Sequence, residues 1–315
     1  MILRYWTLRR KPAIFKTMTG LTVALFDELV DDLAPAYAQA TYDQRNRRGR
    51  QRAVGAGHPR SLEMREEFLL TVIWLRHYFT QETLGYFFGV SDTTALRTIE
   101  RVLPVLEQAG RDTMRQPPPS RRQRLGVAEA LRAFPALADL DDDARVVDTD
   151  EQRVQRPQDR DEADRHYSGK KKAHTLKTQV VVELGSGQVR EVTPGGRGPI
   201  SDGNVLERSG ALHRLPPGVR GLGDKAYIGV GGGRVATPRR KPRGKPRPPE
   251  DVVFNRAFAR VRIGVEHTMR DLRIFQALTQ PDRHRRRGQP ARVCAVVGLR
   301  ARRCRPGRRD RRQAA

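Results

Sequence analysis

The sequence predicts an α/β protein in two parts, a helical N-terminal half followed by a mixed-sheet half, and three observations carry that expectation. Apolar residues recur at helical spacing as far as about residue 107, a proline and arginine cluster breaks the chain near 117–124, and strand-length apolar runs begin at Arg145.

In the first half, Leu21, Leu25, Phe26, Leu29, Val30 and Leu33 form one helical pattern, and the basic run Arg45 to Arg52 reads as a loop. From Glu63 onward, Phe68, Leu69, Val72, Ile73 and Leu75 repeat at three and four, the spacing of a buried helix face. A short helix over Thr80 to Phe88 follows, with Thr80 as its N-cap and Gly89 as its terminator. The next starts after Ser91 or Asp92 and runs to about Glu107, with Ala95, Ile99, Val102 and Leu106 on one face. Two helices joined through Gly89, Val90 and Ser91 have the layout of a helix-turn-helix, whose second helix enters the major groove. Thr93, Thr94, Arg97 and Thr98 are then its reading residues. A plain three-helix bundle gives the same pattern, and the charge of the chain is what favours DNA binding.

That charge is large. Lysine and arginine number 61 against 36 acidic residues in 315, a formal net charge of +25, which points to a polyanionic partner and to nucleic acid first. A membrane is not expected: the most apolar stretch, Phe68 to Leu75, is closed by Arg76 and His77, well short of the ~20 residues of a spanning helix. Arg4, Arg9, Arg10 and Lys11 interrupt the apolar N-terminus, so no signal-peptide core forms and a cytoplasmic location is expected. Cys294 and Cys304 lack partners at zinc-ligand spacing, which argues against a disulfide framework and a zinc ribbon.

In the second half, Arg145 to Asp148, His174 to Leu184 and Gln188 to Thr193 read as strands, the last two joined by a Gly185-Ser186-Gly187 turn. Asp202 to Leu212 reads as a helix, Val219 to Asp224 as a strand, and the glycine-rich basic stretch Gly231 to Gly244 as a loop. Glu250 to about Gln276 is the longest helix there, with Phe258, Val261, Val265 and Met269 inward.

Asp148 and Asp224 stand at strand ends and Glu266 on that long helix, where carboxylates can converge over one sheet edge. Hard oxygen ligands of this kind suit Mg²⁺ or Mn²⁺. Asn255, Arg262, Glu266 and Arg273 fall on nearly one line at 100° per residue, a stripe that can face metal and phosphate. An ordinary Arg262 to Glu266 helix pair is the competing reading. Lys170, Lys171, Lys172 and Lys177 are either a solvated strand face or DNA-backbone contacts, and the charge favours the second. His166 and His174 have no second imidazole or thiol at ligand spacing and read as packing or phosphate-contacting residues.

The runs Val147-Asp148-Thr149-Asp150-Glu151, Gln155-Arg156-Pro157, Tyr167-Ser168-Gly169-Lys170-Lys171-Lys172 and His174-Thr175-Leu176-Lys177 resemble the first catalytic block of insertion-sequence-five-type and Harbinger-like DDE transposases. Asp224-Lys225-Ala226-Tyr227 is similar to their second block, Thr237-Pro238 and the basic residues after it to the following loop, and Asn255-Arg256 through Arg262-Ile263-Gly264-Val265-Glu266-His267 to the third. The resemblance covers roughly Leu21 to Arg287. It implies an RNase H-like catalytic core behind the helix-turn-helix, and Asp148, Asp224 and Glu266 as catalytic ligands of two divalent ions, Mg²⁺ or Mn²⁺. It also implies double-stranded DNA as partner, both terminal inverted repeats and target. Tyr167, Lys170, Lys171, Lys172, Lys177 and Arg262 would hold the strand, with Asp202 and Asn255 as accessory residues. A homodimer or larger assembly on nucleoid DNA follows, and a catalytically inactive, domesticated or decayed regulator is the alternative.

The chain departs from the family at Asp150, where threonine is usual, at Ser201, where histidine is, and at Ala226, where glycine is. Arg300 replaces an expected Leu-x-Asn ending. The domains expected are a helical DNA-binding part over 1–115, a Pro/Arg-rich linker over 116–140, the RNase H-like catalytic part over 141–287, and a basic, disordered or decayed tail over 288–315.

Overall fold

The computed structural model describes residues 3–46, 60–116, 143–215, 219–284 and 288–304. The expected linker, apart from Gln116, therefore lies outside the described residues, as do most of the loop Arg45 to Arg52 and the last eleven residues. The chain forms two compact units, and neither is continuous in sequence.

The first unit takes in Met1–Thr113, Leu272–Gln280 and Ala291–Ala315. Its helices are α1 (Tyr5–Leu8), α2 (Pro12–Thr19), α3 (Val23–Arg45), α4 (Met64–His77), α5 (Gln81–Phe88) and α6 (Asp92–Arg115). Tyr5, Phe15 and Phe26 pack ring against ring at one end of its core. Helix α4 is buried all round from Glu66 to Leu75, more than the single face its spacing predicts. Two carboxylates consequently lie in the interior, and each is paired: Glu66 accepts from Arg4, and Glu67 accepts from the Tyr37 hydroxyl and from Arg101 at 2.5 Å.

The turn between α5 and α6 follows from its local chemistry. The Thr80 hydroxyl accepts the Thr83 N–H, Gly89 takes the left-handed conformation at φ 65°, and the Ser91 hydroxyl accepts the Thr94 N–H at 3.1 Å. A Cβ on Gly85 would lie 2.6 Å from the Val90 carbonyl oxygen, so this turn closes only on glycine. Helix α6 continues past Glu107 to Arg115.

The expectation of a disordered tail from 288 is corrected by a helix over Gln289–Cys304 with Val293, Cys294, Val296, Val297 and Leu299 buried. Its arginines hid an amphipathic pattern. Where this helix meets α6, Gly298 touches Gly110, and a Cβ on Gly110 would fall 1.8 Å from the Cys294 carbonyl oxygen. The approach is backbone to backbone, which needs glycine on α6.

The second unit comprises Met114–Asp271 and Pro281–Pro290. Its strands are β1 (Arg145–Arg153), β2 (Tyr167–Ser168), β3 (Ala173–Glu183), β4 (Val189–Arg197), β5 (Gly221–Leu222) and β6 (Val235–Ala236). β1 pairs antiparallel with β3, β3 antiparallel with β4, and β1 parallel with β5, which is parallel to β6. The sheet is therefore mixed, the α/β, RNase H-like arrangement expected. Helices α7 (Arg160–His166), α8 (Asp202–Ser209) and α9 (Pro249–Arg273) complete the unit, and the helix over Gln289–Cys304 becomes α10.

Val147, Val181, Leu206, Leu212, Tyr227 and Val235 build the core on one side of this sheet. The Thr268 hydroxyl of α9 donates to the Gly187 carbonyl at 3.2 Å and so ties the long helix to the β3–β4 turn. Glu183, buried at the end of β3, is held between Arg145 at 2.9 Å and Arg190 at 3.0 Å.

Candidate active site

Asp148 sits on β1 between an antiparallel and a parallel neighbour, opposite Val180 of β3. β5 is shorter than predicted, because two residues beyond it the Asp224 carboxylate accepts the Ala226 N–H at 2.8 Å and starts a 3-10 turn over Lys225–Tyr227. Glu266 lies on α9, its side chain 58% exposed and 4.0 Å from Arg262.

Burial pushes the Asp148 carboxyl up to about 6. The Thr149 N–H, which it accepts at 3.0 Å, and the Arg262 charge oppose this, while the Glu266 and Asp224 charges raise it further. Asp148 is thus within electrostatic reach of the two other carboxylates expected beside it. Among the described residues, however, no three His, Cys, Asp or Glu side chains are grouped so as to hold a metal ion. The three share a field without a common centre, each meeting a separate donor: the Thr149 N–H for Asp148, the Ala226 N–H for Asp224 and Arg262 for Glu266. By chemistry the donor set, hard carboxylate oxygens, suits a divalent cation, while the side chains as placed are not gathered around one point.

Tyr227 is a site residue that motif reading passed over. Its buried hydroxyl is 2.8 Å from that of Thr149, which ties the Asp224 turn to β1 one residue beyond Asp148. Burial raises its pKa, and the charges of Asp202, Asp148 and Asp224 add to the rise. Its place three residues after Asp224, on the buried side of a helical turn, was the available signal.

Several expected roles change. Ser201 caps α8, its hydroxyl accepting the Asn204 N–H at 3.2 Å, and Asp202 is the first residue of that helix. Asp202 instead receives Lys177 Nζ at 2.7 Å, and the same ammonium donates to the Ile200 carbonyl at 2.7 Å. Lys177 is buried and so does not line a DNA-facing surface. Nearly all of β3 is buried, and a lysine in such a strand needs a partner. Asn255 does not face the carboxylates: its amide brackets Arg239, accepting the N–H at 2.8 Å and donating to the carbonyl at 3.1 Å.

Lys170, Lys171, Lys172 and Tyr167 are exposed around the β2–β3 turn, where Tyr167 meets the His174 ring edge-on. Arg262 is mostly covered, with its Nε buried and without a hydrogen-bond partner. On α6, Thr93 and Arg97 are exposed and Thr94 half-buried, but Thr98 is buried and faces the core. Leu96, exposed beside Arg97, takes its place on the open face.

The catalytic-domain profile of the DDE superfamily endonucleases matches residues 147–299, and the helix-turn-helix of DDE superfamily endonucleases matches residues 60–112. The chain thus carries a DDE superfamily endonuclease domain behind the helix-turn-helix of that superfamily. A probable transposase for insertion sequence element IS702 from Microchaete diplosiphon is 28% identical over 288 residues, 90% of this chain and 92% of the relative. No solved structure matches the chain. The superfamily implies nuclease chemistry with divalent metal, and its helix-turn-helix implies DNA as a partner. Among the described residues no helix is long and apolar enough to cross a membrane.

Proposed function

We propose that the protein is a transposase which cuts DNA at the inverted-repeat ends of its element and joins the freed ends to target DNA. The observation that carries this reading is the placement of Asp148 on the central strand of the matched endonuclease domain, with the Asp224 turn tied to that strand through the Thr149 and Tyr227 hydroxyls 2.8 Å apart. Asp148, Asp224 and Glu266 would hold two Mg²⁺ or Mn²⁺ ions, which when bound stabilise charge on the attacking and leaving oxygens.

The chain's own residues position the reactants. Water attacks a phosphodiester at the element end and the P–O3′ bond breaks, leaving a 3′-hydroxyl, which then attacks a target phosphodiester in a transesterification. Lys170, Lys171, Lys172 and Tyr167 grip the backbone, and Arg262 meets a phosphate oxygen from beneath Glu266. The hydroxyl pair of Thr149 and Tyr227 keeps the Asp224 turn against β1. Thr93, Thr94, Leu96 and Arg97 read the repeat in the major groove. Two ends require at least two chains, so the working form is a dimer or larger assembly on nucleoid DNA.

A second reading, a DNA-binding regulator without catalysis, draws on one observation: Glu266 is exposed and turned to Arg262 rather than grouped with the aspartates. Incubating the full chain with a labelled inverted-repeat end and Mg²⁺ separates the two. A nick with a free 3′-hydroxyl, lost in Asp148→Asn, supports the transposase; binding without any nick in Mg²⁺ or Mn²⁺ leaves the regulator.

A further inference from the structure

We propose that the segment from Pro238 to Pro248 is a second DNA-binding element, one that enters the minor groove of A·T-rich duplex with Arg243 and Lys245. The inference rests on duplex DNA being the partner and goes beyond it by naming a groove, a base composition and the residues that read it.

Between Thr237 and Pro249 the chain carries six cations, five prolines counting Pro249 itself, and no carboxylate. Arg239 to Pro246 is exposed throughout. The base of the arm is fixed to α9 from several directions: the Asn255 amide brackets the Arg239 backbone, Asp251 pairs with the Arg239 guanidinium at 3.0 Å, and that guanidinium lies 4.5 Å over the Phe254 ring. Beyond this anchor, Arg240, Lys241, Arg243 and Lys245 have no hydrogen-bonding or ion-pair partner among the described residues. Clamped at its root and uncompensated at its tip, the segment presents charge outward at little further entropic cost, since proline limits the free states it can lose.

The shape selects the groove. Prolines 242, 246 and 248 exclude a helix, so this is not a second major-groove reader. At the tip Arg243 and Lys245 flank Gly244, which has φ 72° and open space around the position of an added Cβ. A thin ribbon with a glycine between two cations fits a minor groove ~6 Å wide. That groove narrows on A·T tracts, where its negative potential is strongest and attracts Arg and Lys. Along α9, Asn255 lies eleven residues from Glu266, about 16 Å, so the arm meets duplex roughly half a helical turn from the carboxylates.

The test measures binding of the full chain to two duplexes of equal length, one with a central A·T tract and one with a G·C tract. Three proteins are compared: wild type, Arg243→Ala/Lys245→Ala, and Gly244→Ala, which keeps every cation. All changes lie in an exposed loop and spare the core. Wild type should prefer the A·T duplex about tenfold, the scale of one or two base-pair discriminations, and both variants should lose that preference while still binding duplex. Equal weakening on the two duplexes by the double variant would mean a phosphate contact without groove reading and would overturn the proposal. So would an A·T preference that survives in either variant, or its absence in wild type. Failure of wild type to bind any duplex would instead overturn the DNA reading on which this one stands.

Discussion

The two units differ in what closes them. In the first, the carboxylates buried in helix α4 bring their partners with them: Glu67 meets Tyr37 and Arg101, and Glu66 meets Arg4. In the second, Asp148 is buried within electrostatic reach of Asp224 and Glu266, like charges opposed by Arg262 and a backbone N–H. The first unit satisfies its buried carboxylates with its own side chains, whereas the second leaves like charges within reach of one another, a repulsion that a divalent cation would relieve if these carboxylates form the proposed site.

The largest effect that would sharpen this contrast is catalytic. Asp224→Asn should lower cleavage of an inverted-repeat end at least about a thousandfold. Asp202→Asn should act more mildly and mainly through Lys177, whose ammonium it would leave with a neutral partner. Full cleavage by Asp224→Asn with loss in Asp202→Asn would exchange the two residues in this account.

Next is the glycine contact in the first unit. Gly110→Ala places a Cβ against the Cys294 backbone and should destabilise the unit by about 3 kcal/mol, read as an early thermal transition, with DNA binding lost in step. A transition unchanged from wild type would mean that α10 is not part of this core.

The same contrast predicts the opposite sign at Asp148. Its folded pKa lies above the unfolded value of 3.8, so the metal-free native state holds the proton longer than the unfolded state. The favourable contribution is complete below pH about 4 and is lost as pH rises through about 6. Asp148→Asn should therefore stabilise the metal-free protein at pH 8 by about 1 to 3 kcal/mol, with no gain near pH 4. A variant less stable than wild type at pH 8 would show that the charge is already compensated.

The smallest effect concerns reading. Arg97→Ala should weaken binding to the repeat by about 1 to 2 kcal/mol and relax one position of its sequence. Thr98→Ala should alter stability and leave sequence preference unchanged, because Thr98 faces the core.

Helices were legible in this chain where caps and periodicity agree, as at Thr80, Gly89 and Ser91, because both signals are local. Helix α10 was not, because Arg292, Arg300 and Arg302 mask its apolar side and the glycine contact that holds it is distant in sequence. At the site, motif order picked out Asp148, Asp224 and Glu266 as candidates, but periodicity could not tell that Lys177 is paired, that Asp202 is its partner, or that Asn255 holds a basic arm. Each of those depends on a partner brought near by the fold.

The most direct test of the central claim is a Mn²⁺ titration of the full chain, followed by the thermal transition of the second unit, in wild type, Asp148→Asn, Asp224→Asn and Glu266→Gln. A saturable rise is expected in wild type, as for an ion that binds only the native state, and a much smaller rise in each variant. No rise in wild type, or an equal rise in all four proteins, would contradict a metal site built from these carboxylates.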